Sequence, residues 1–174
     1  MMRITGRTWT FGENINTDLM LPASASYLTP QEQVQYVFAA NRPGWVATVN
    51  RGDILVAGRN FGMGSSRPAA RSLRLLGLGC LLADSINGLF FRNCVNWGFY
   101  ALECPGVSAA FREGDEAQVD IDTFSVTNLR SGQTLSAAPI PERLLNITRA
   151  GGLYAFMAAE GLIDDPSAQS QAAT

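Results

Sequence analysis

The residues best suited to chemistry lie in one short loop of glycines, hydroxyls and a guanidinium, Gly62-Met63-Gly64-Ser65-Ser66-Arg67. The apolar run that precedes it, 54–57, predicts a buried parallel strand. Pro68 follows it and suits the first turn of a helix that we expect over 68–76. A glycine turn entering a helix gathers backbone N–H donors and partial positive charge. The loop therefore predicts an anion pocket that contains a hydroxyl.

The same pattern also has a purely structural interpretation, because strand–glycine–helix turns with a serine cap are common. Ser65 or Ser66 can cap the helix, which leaves the other hydroxyl for a ligand. The loop is not a P-loop, since no lysine follows the glycines, and it lacks the third glycine of a dinucleotide fingerprint. Arg67 supplies a planar fork that matches a carboxylate or a phosphate.

The basic residues exclude several kinds of active site. The chain has 174 residues, no histidine, and 13 basic residues that are all arginine. A Ser-His-Asp triad, a Cys-His pair and a lysine Schiff base are therefore impossible within this chain. Acid–base chemistry has to come from other side chains, from an activated serine, or from another chain. We therefore expect an incomplete active site.

Composition bounds the partners and the compartment. A net charge of −2 gives no electrostatic reason to expect nucleic acid or an anionic membrane as partner. No apolar run approaches the roughly 20 residues of a membrane span, and the N-terminus lacks a signal peptide's apolar core, which predicts a cytoplasmic protein. Cys80, Cys94 and Cys104 lie far apart in apolar runs, so we expect buried free thiols and no metal site in this chain.

The order of the predicted elements indicates an α/β fold. Strands that alternate with helices before residue 105 predict a parallel βαβαβ unit, and period-two alternation after it predicts additional antiparallel strands. Thr29 is expected to cap the helix over 30–38, and Asp84 or Ser85 the helix over 86–95. The predicted strands are 8–11, 54–58, 80–83, 99–103, 118–121 and 124–127, and the predicted helices are 30–38, 68–76, 86–95, 141–151 and 153–162. We expect one domain over 1–163 and a disordered tail over 164–174.

Several motifs occur in an order that resembles one known family. In chain order they are Asn16-Thr17-Asp18, Leu21-Pro22-Ala23, Tyr27-Leu28, the run from Gly52 to Gly62, Gly64-Ser65-Ser66-Arg67 and Phe91-Arg92-Asn93. Together they resemble the small subunit of 3-isopropylmalate dehydratase, the swivel domain of the aconitase superfamily, from residue 8 to residue 160. The resemblance implies a three-layer β/β/α swivel domain.

The same resemblance implies a hydro-lyase that is active only with a separate large subunit, which carries a [4Fe–4S] cluster. It acts on a small hydroxy dicarboxylate, and the 2-isopropylmalate/3-isopropylmalate pair of leucine biosynthesis is the expected substrate. Carried over by resemblance, Ser65 is the base that removes a proton from carbon. Ser66 and Arg67, beside Gly64, bind a substrate carboxylate.

A second set of substrate-binding residues is implied by the same resemblance. Tyr27, Leu28 and Thr29 belong to the loop that sets specificity in the family. Thr29 stands where the family typically has an arginine, so the resemblance identifies the reaction class more closely than the substrate. Asp18, in a polar turn beside that loop, is expected to be structural.

The glycine loop itself also departs from the family pattern. Met63 replaces a cysteine, and Pro68-Ala69-Ala70 replaces Glu-His-Ala. Two alternatives therefore stay open. One is a related dehydratase for another small hydroxy diacid, such as a methylated malate. The other is a non-catalytic swivel domain that binds a diacid without turnover.

Overall fold

The computed structural model describes residues 2–64 and 67–164, and these form a seven-stranded sheet of order β4-β3-β2-β1-β5-β6-β7. The strands are β1 Arg3–Phe11, β2 Ile54–Ala57, β3 Cys80–Ala83, β4 Tyr100–Glu103, β5 Glu116–Asp120, β6 Ser125–Asn128 and β7 Thr134–Ser136. The α-helices are α1 Thr17–Met20, α2 Pro30–Gln33, α3 Ala69–Leu75, α4 Gly88–Asn96, α5 Val107–Ala110, α6 Glu142–Arg149 and α7 Leu153–Ala159. Single 3₁₀ turns occupy Ala23–Tyr27, Val34–Tyr36 and Trp45–Thr48.

The first strand belongs to both halves of the sheet. Its residues 8–11 pair in parallel with β2, which continues in parallel through β3 and β4. Its residues 3–7 pair antiparallel with β5, which continues through β6 and β7. The predicted α/β fold, with a parallel unit and additional antiparallel strands, is confirmed. Strand β1 is longer than the predicted 8–11 because β5, a distant segment, supplies partners for its first residues.

The parallel strands lie between two apolar layers, as their alternating side chains dictate. In β2, Leu55 and Ala57 pack on the side of α3 and α4. Ile54 and Val56 face the opposite side and join a cluster that includes Val119 of β5. All of these side chains are fully buried. Helices, parallel strands and antiparallel strands are therefore stacked in the order that the β/β/α expectation requires.

The helix expected over 30–38 is only partly α-helical. It is an α-helix over Pro30–Gln33 and a 3₁₀ turn over Val34–Tyr36. Phe38 takes a positive φ of 54°, and its N–H donates to the Met20 carbonyl at 2.9 Å rather than within a helix. Because the Phe38 ring is fully buried, the apolar core draws the chain away from the helical path.

The fourth helix is capped by a residue that the sequence analysis did not select. Asn87 provides the capping oxygen of α4, so the prediction of Asp84 or Ser85 is wrong. Both predicted residues are engaged elsewhere. The Ser85 hydroxyl accepts a hydrogen bond from the Asn60 N–H at 2.9 Å, and the Asp84 carboxylate accepts one from the Ser108 hydroxyl at 2.5 Å.

Two further expectations concern chain segments that are only partly described. Helix α3 begins at Ala69, with Pro68 as its N-cap, and the serines predicted to cap it, Ser65 and Ser66, lie outside the described residues. Residues 165–174 of the predicted tail also lie outside them. Among the helices of the described segments, none is long and apolar enough to cross a bilayer.

A buried carboxylate connects the first two parallel strands, and this arrangement predicts a large loss of stability when it is removed. Asp53 is 4% exposed, and its Oδ2 accepts hydrogen bonds from the Trp9 indole at 2.7 Å and the Asn50 N–H at 2.9 Å. Asp53→Ala leaves both donors without this acceptor, so the free energy of unfolding in urea should fall by about 2–4 kcal/mol. The exposed-site variant Glu160→Ala should change it by less than about 0.5 kcal/mol. Equal stabilities of the two variants would contradict the expectation.

Candidate functional site

The glycine loop, defined here as residues 58–68, leaves the carboxyl end of β2 and leads into α3. Its described part lies between two other segments of the chain, and both form hydrogen bonds with its backbone. Ligand-binding loops of parallel sheets lie at this same edge. The predicted site therefore lies at the edge of the sheet where ligand-binding loops of parallel sheets occur.

Residues 15–17 hold one side of the glycine loop. The Gly62 N–H donates to the Ile15 carbonyl at 2.7 Å, and the Thr17 N–H donates to the Met63 carbonyl at 2.8 Å. The Asn16 side chain caps α1, which fixes the turn that makes these bonds. The loop was expected to direct its backbone N–H groups at an anion. For Gly62 this expectation is wrong, because its N–H bonds to the Ile15 carbonyl.

Residues 85–87 hold the other side. The Phe61 N–H donates to the Ser85 carbonyl at 3.1 Å, and the Asn87 N–H donates to the Phe61 carbonyl at 2.8 Å. The Phe61 ring is fully buried and lies 5.6 Å from the Phe90 ring of α4, centroid to centroid, in an edge-to-face arrangement. The loop is thus anchored by backbone pairing and by one aromatic side chain.

Two glycines are required by this close packing. Gly62 has a φ of 86°, and a Cβ there would lie 2.4 Å from the Phe90 side chain. Gly64 has a φ of 84°, and a Cβ there would lie 2.9 Å from the Thr17 hydroxyl. Positive φ and close approach together exclude larger residues at both positions. Gly64, which the resemblance places at the substrate, therefore also has a structural reason to be glycine.

Arg67 is positioned by an acidic residue of α1. Its Nε lies 3.0 Å from Oδ1 of Asp18, close enough for an ion pair but not aligned for a hydrogen bond, and among the described residues Nε makes none. The Asp18 side chain is 68% exposed and that of Arg67 21% exposed. Solvent screens such a pair, so its contribution to stability is at most about 1 kcal/mol. The pair instead favours one orientation of the Arg67 guanidinium. Asp18 belongs to the Asn16-Thr17-Asp18 motif that the sequence analysis had singled out.

The two serines of the motif, Ser65 and Ser66, lie outside the described residues. The chain itself requires that they connect Gly64 to Arg67, whose positions are described. Their proposed roles therefore depend on the sequence and on these two neighbours.

The second predicted set lies on a separate segment between α1 and α2. The Tyr27 side chain is 95% exposed, and the Thr29 hydroxyl is engaged with Glu32 in a capping box. The predicted Thr29 cap is thus confirmed. Within the described ranges, no hydrogen bond or ion pair joins residues 27–29 directly to Gly64 or Arg67. The Leu28 carbonyl accepts a hydrogen bond from Gln33, a residue that the sequence analysis did not single out.

The donor set of this chain does not fit an iron–sulfur cluster. Cys94 lies in the apolar cluster beneath the helices, and Cys80 and Cys104 lie in the cluster on the other face of the sheet. Burial raises the pKa of Cys80 and Cys94 well above that of a free thiol, and it raises the pKa of Cys104 to about 11. These groups stay protonated, whereas metal binding needs thiolates. Over residues 2–64 and 67–164, no cluster of three or more acidic, cysteine or histidine ligands is found.

Comparison with known proteins places this geometry in a family. Residues 12–106 match the aconitase C-terminal domain family. The isopropylmalate/citramalate isomerase small subunit of Methanocaldococcus jannaschii is 40% identical over 156 residues, which are 88% of this chain and 93% of that protein. The 3-isopropylmalate dehydratase small subunit of Heliobacterium modesticaldum is 39% identical over 158 residues, 90% of this chain and 95% of that protein.

A solved structure supports the same conclusion. A crystal structure described as 3-isopropylmalate dehydratase from Methanocaldococcus jannaschii superposes with a TM-score of 0.87 at 28% identity, covering 98% of this chain and 99% of that one. The family model matches a little over half of the chain, and the two relatives and the solved structure extend the similarity over nearly all of it. The chain therefore belongs to the 3-isopropylmalate dehydratase small subunits, within the aconitase C-terminal domain family.

Proposed function

We propose that this chain is the small subunit of a cytoplasmic hydro-lyase that interconverts 2-isopropylmalate and 3-isopropylmalate in leucine biosynthesis. Dehydration removes a proton from one carbon and hydroxide from its neighbour, and rehydration returns them in the opposite arrangement. The family supports the reaction class. The observation that carries the proposal is the glycine loop, which is held on both sides and ends at an arginine oriented by Asp18.

Ser65 takes the proton from carbon and returns a proton during rehydration. A neutral alcohol is a weak base, so its alkoxide has to be stabilised by nearby positive charge. The chain has no lysine or histidine, and the Arg67 guanidinium belongs to the residue two positions after Ser65. The backbone of residues 61–63 is fixed by hydrogen bonds to neighbouring segments, which reduces the reorganisation needed at this end of the site.

Ser66 and Arg67 bind one carboxylate of the substrate. A guanidinium can donate two parallel hydrogen bonds to a carboxylate, which sets the orientation of the diacid as well as its affinity. Asp18 lies beside Nε, so the fork is oriented before the substrate arrives. Gly64 allows the backbone to approach closely, because it carries no side chain.

A large subunit completes the site. The relatives are small subunits by name, and this chain has no donor set for a cluster in its described part. We propose that the partner holds a [4Fe–4S] cluster, which when bound supplies a Lewis acid for the substrate hydroxyl.

A second candidate substrate is citramalate, the diacid with a methyl group in place of the larger side chain. The relative from Methanocaldococcus jannaschii is named for both isopropylmalate and citramalate. Thr29 is shorter than the arginine of the family pattern, and its hydroxyl is engaged with Glu32, so the loop presents no cation there.

The proposed activity is tested by reconstituting this chain with its large subunit and assaying both diacids. We expect turnover of 2-isopropylmalate with a higher kcat/KM than that of citramalate. The large subunit alone should be inactive, because it lacks Ser65 and Arg67. Higher kcat/KM for citramalate would select the second candidate, and turnover of neither diacid would overturn the proposal.

Replacing the proposed base should remove the chemical step without affecting assembly. Ser65→Ala should lower kcat about 1,000-fold, the order contributed by a positioned general base. The complex should still elute as one species in size-exclusion chromatography. Ser131→Ala, in an exposed turn between β6 and β7, should leave kcat unchanged. A Ser65→Ala complex with full kcat would remove Ser65 from this role.

The proposed binding of a substrate carboxylate by the Arg67 guanidinium is tested with a substitution that keeps the charge. Arg67→Lys keeps the positive charge but loses the bidentate geometry, so KM should rise about 10- to 100-fold. Arg59→Lys is the matched control, because Arg59 lies in the same loop, is largely exposed, and pairs with Glu13. Its KM should match the wild type. An unchanged KM in Arg67→Lys would contradict the proposed clamp.

A further inference from the structure

A buried glutamine connects the Tyr27–Thr29 segment to the helix that follows the glycine loop. Gln33, the last residue of α2, is 3% exposed. Its Nε2 donates to the Leu28 carbonyl at 3.1 Å, and its Oε1 accepts from Nη2 of Arg71 at 3.0 Å. Both ends of the amide are therefore used, one on each side of the contact between α2 and α3. A buried amide with both ends satisfied is costly to disturb.

The other hydrogen bonds that this segment makes with residues of 2–64 and 67–164 are local. The Leu28 N–H donates to the Ala25 carbonyl, and Thr29 and Glu32 bond to each other. Local bonds fix the shape of the segment but not its position relative to α3. Ala25, which is fully buried, anchors the beginning of the segment. The Gln33 amide anchors its end.

Arg71, the partner of Gln33 on α3, is itself held in place by a second contact. It lies in the first turn of α3, four residues after Arg67, and its guanidinium carbon lies 5.2 Å from the centre of the Trp97 ring. This stacking and the bond to Gln33 restrict the arginine from two directions. Through Gln33, the Leu28 carbonyl is therefore held in a fixed position relative to α3, the helix that follows Arg67.

We infer that Gln33 is a positioning residue for substrate selectivity: its amide holds Leu28, and with it Tyr27 and Thr29, at a fixed distance from the Arg67 end of the site. This inference rests on the proposed function and on the family resemblance, which implies that residues 27–29 belong to the loop that sets substrate specificity. With one substrate carboxylate bound at Arg67, residues 27–29 would limit the size of the substrate side chain that fits. Loss of the Gln33 amide should weaken this size limit.

The test uses the reconstituted complex with Gln33→Leu. Amide hydrogen exchange in residues 23–29 should accelerate about tenfold, since the segment loses its bond to the helix. The ratio of kcat/KM for 2-isopropylmalate to that for citramalate should change at least about fivefold, the scale of discrimination by one or two carbons. The kcat for the preferred diacid should stay within about twofold, because the proposed catalytic groups are untouched.

Two further variants separate positioning from general destabilisation. Gln33→Glu has nearly the same shape and keeps a partner for Arg71, but its ionised carboxylate cannot donate to the Leu28 carbonyl, so it should reproduce both effects. Gln35→Leu changes an exposed glutamine of the neighbouring 3₁₀ turn and should reproduce neither.

The readouts also separate this inference from the proposed function. Unchanged exchange in residues 23–29, or an unchanged selectivity ratio beside faster exchange, would overturn the positioning role. A wild-type complex that turns over neither diacid would overturn the proposed function, while the exchange comparison still decides whether Gln33 holds the segment.

Discussion

The site depends on the backbone pairing of a short loop with chain segments on both of its sides. Phe61, Gly62 and Met63 exchange hydrogen bonds with residues 15–17 and 85–87, so the loop is an extension of the sheet rather than a free connection. Backbone held in this way has few alternative conformations over residues 61–63. In the proposed function, this fixed stretch supports the Arg67 end of the site.

Because of this anchoring, the Gly62 amide does not contribute positive potential for an anion at the glycine loop. A glycine turn at a helix start suggests that backbone amides collect an anion, yet the amide of Gly62 holds the loop itself. Arg67 is then the cation that the site proposal uses at this edge, and the largely exposed Asp18 lies beside its Nε. In the proposed function, a chain without histidine or lysine relies on a guanidinium for positive charge, and the large subunit supplies the rest of the site.

The sequence was informative where the signal was local and less so where distant contacts decide. The parallel strands, the glycine loop and the Thr29 capping box were predicted from spacing and residue type. The early start of β1 was not, because its partner lies more than a hundred residues away. The Asn87 cap had a local signal that was missed, because asparagine is a preferred N-cap and its side chain accepts from the Leu89 N–H. The positive φ of Phe38 depends instead on burial and on a hydrogen bond to Met20. The Asp18–Arg67 pair joins two motifs that are fifty residues apart, and only the fold brings them together.

One continuous strand runs through both the parallel and the antiparallel halves of the sheet, and this has a mechanical consequence. The first half of β1 cannot pivot without shearing its second half from β2, so β1 ties the parallel and antiparallel halves of the sheet into one body. In the proposed complex, we therefore expect this chain to move as a unit against its partner rather than to bend between the two halves of its sheet.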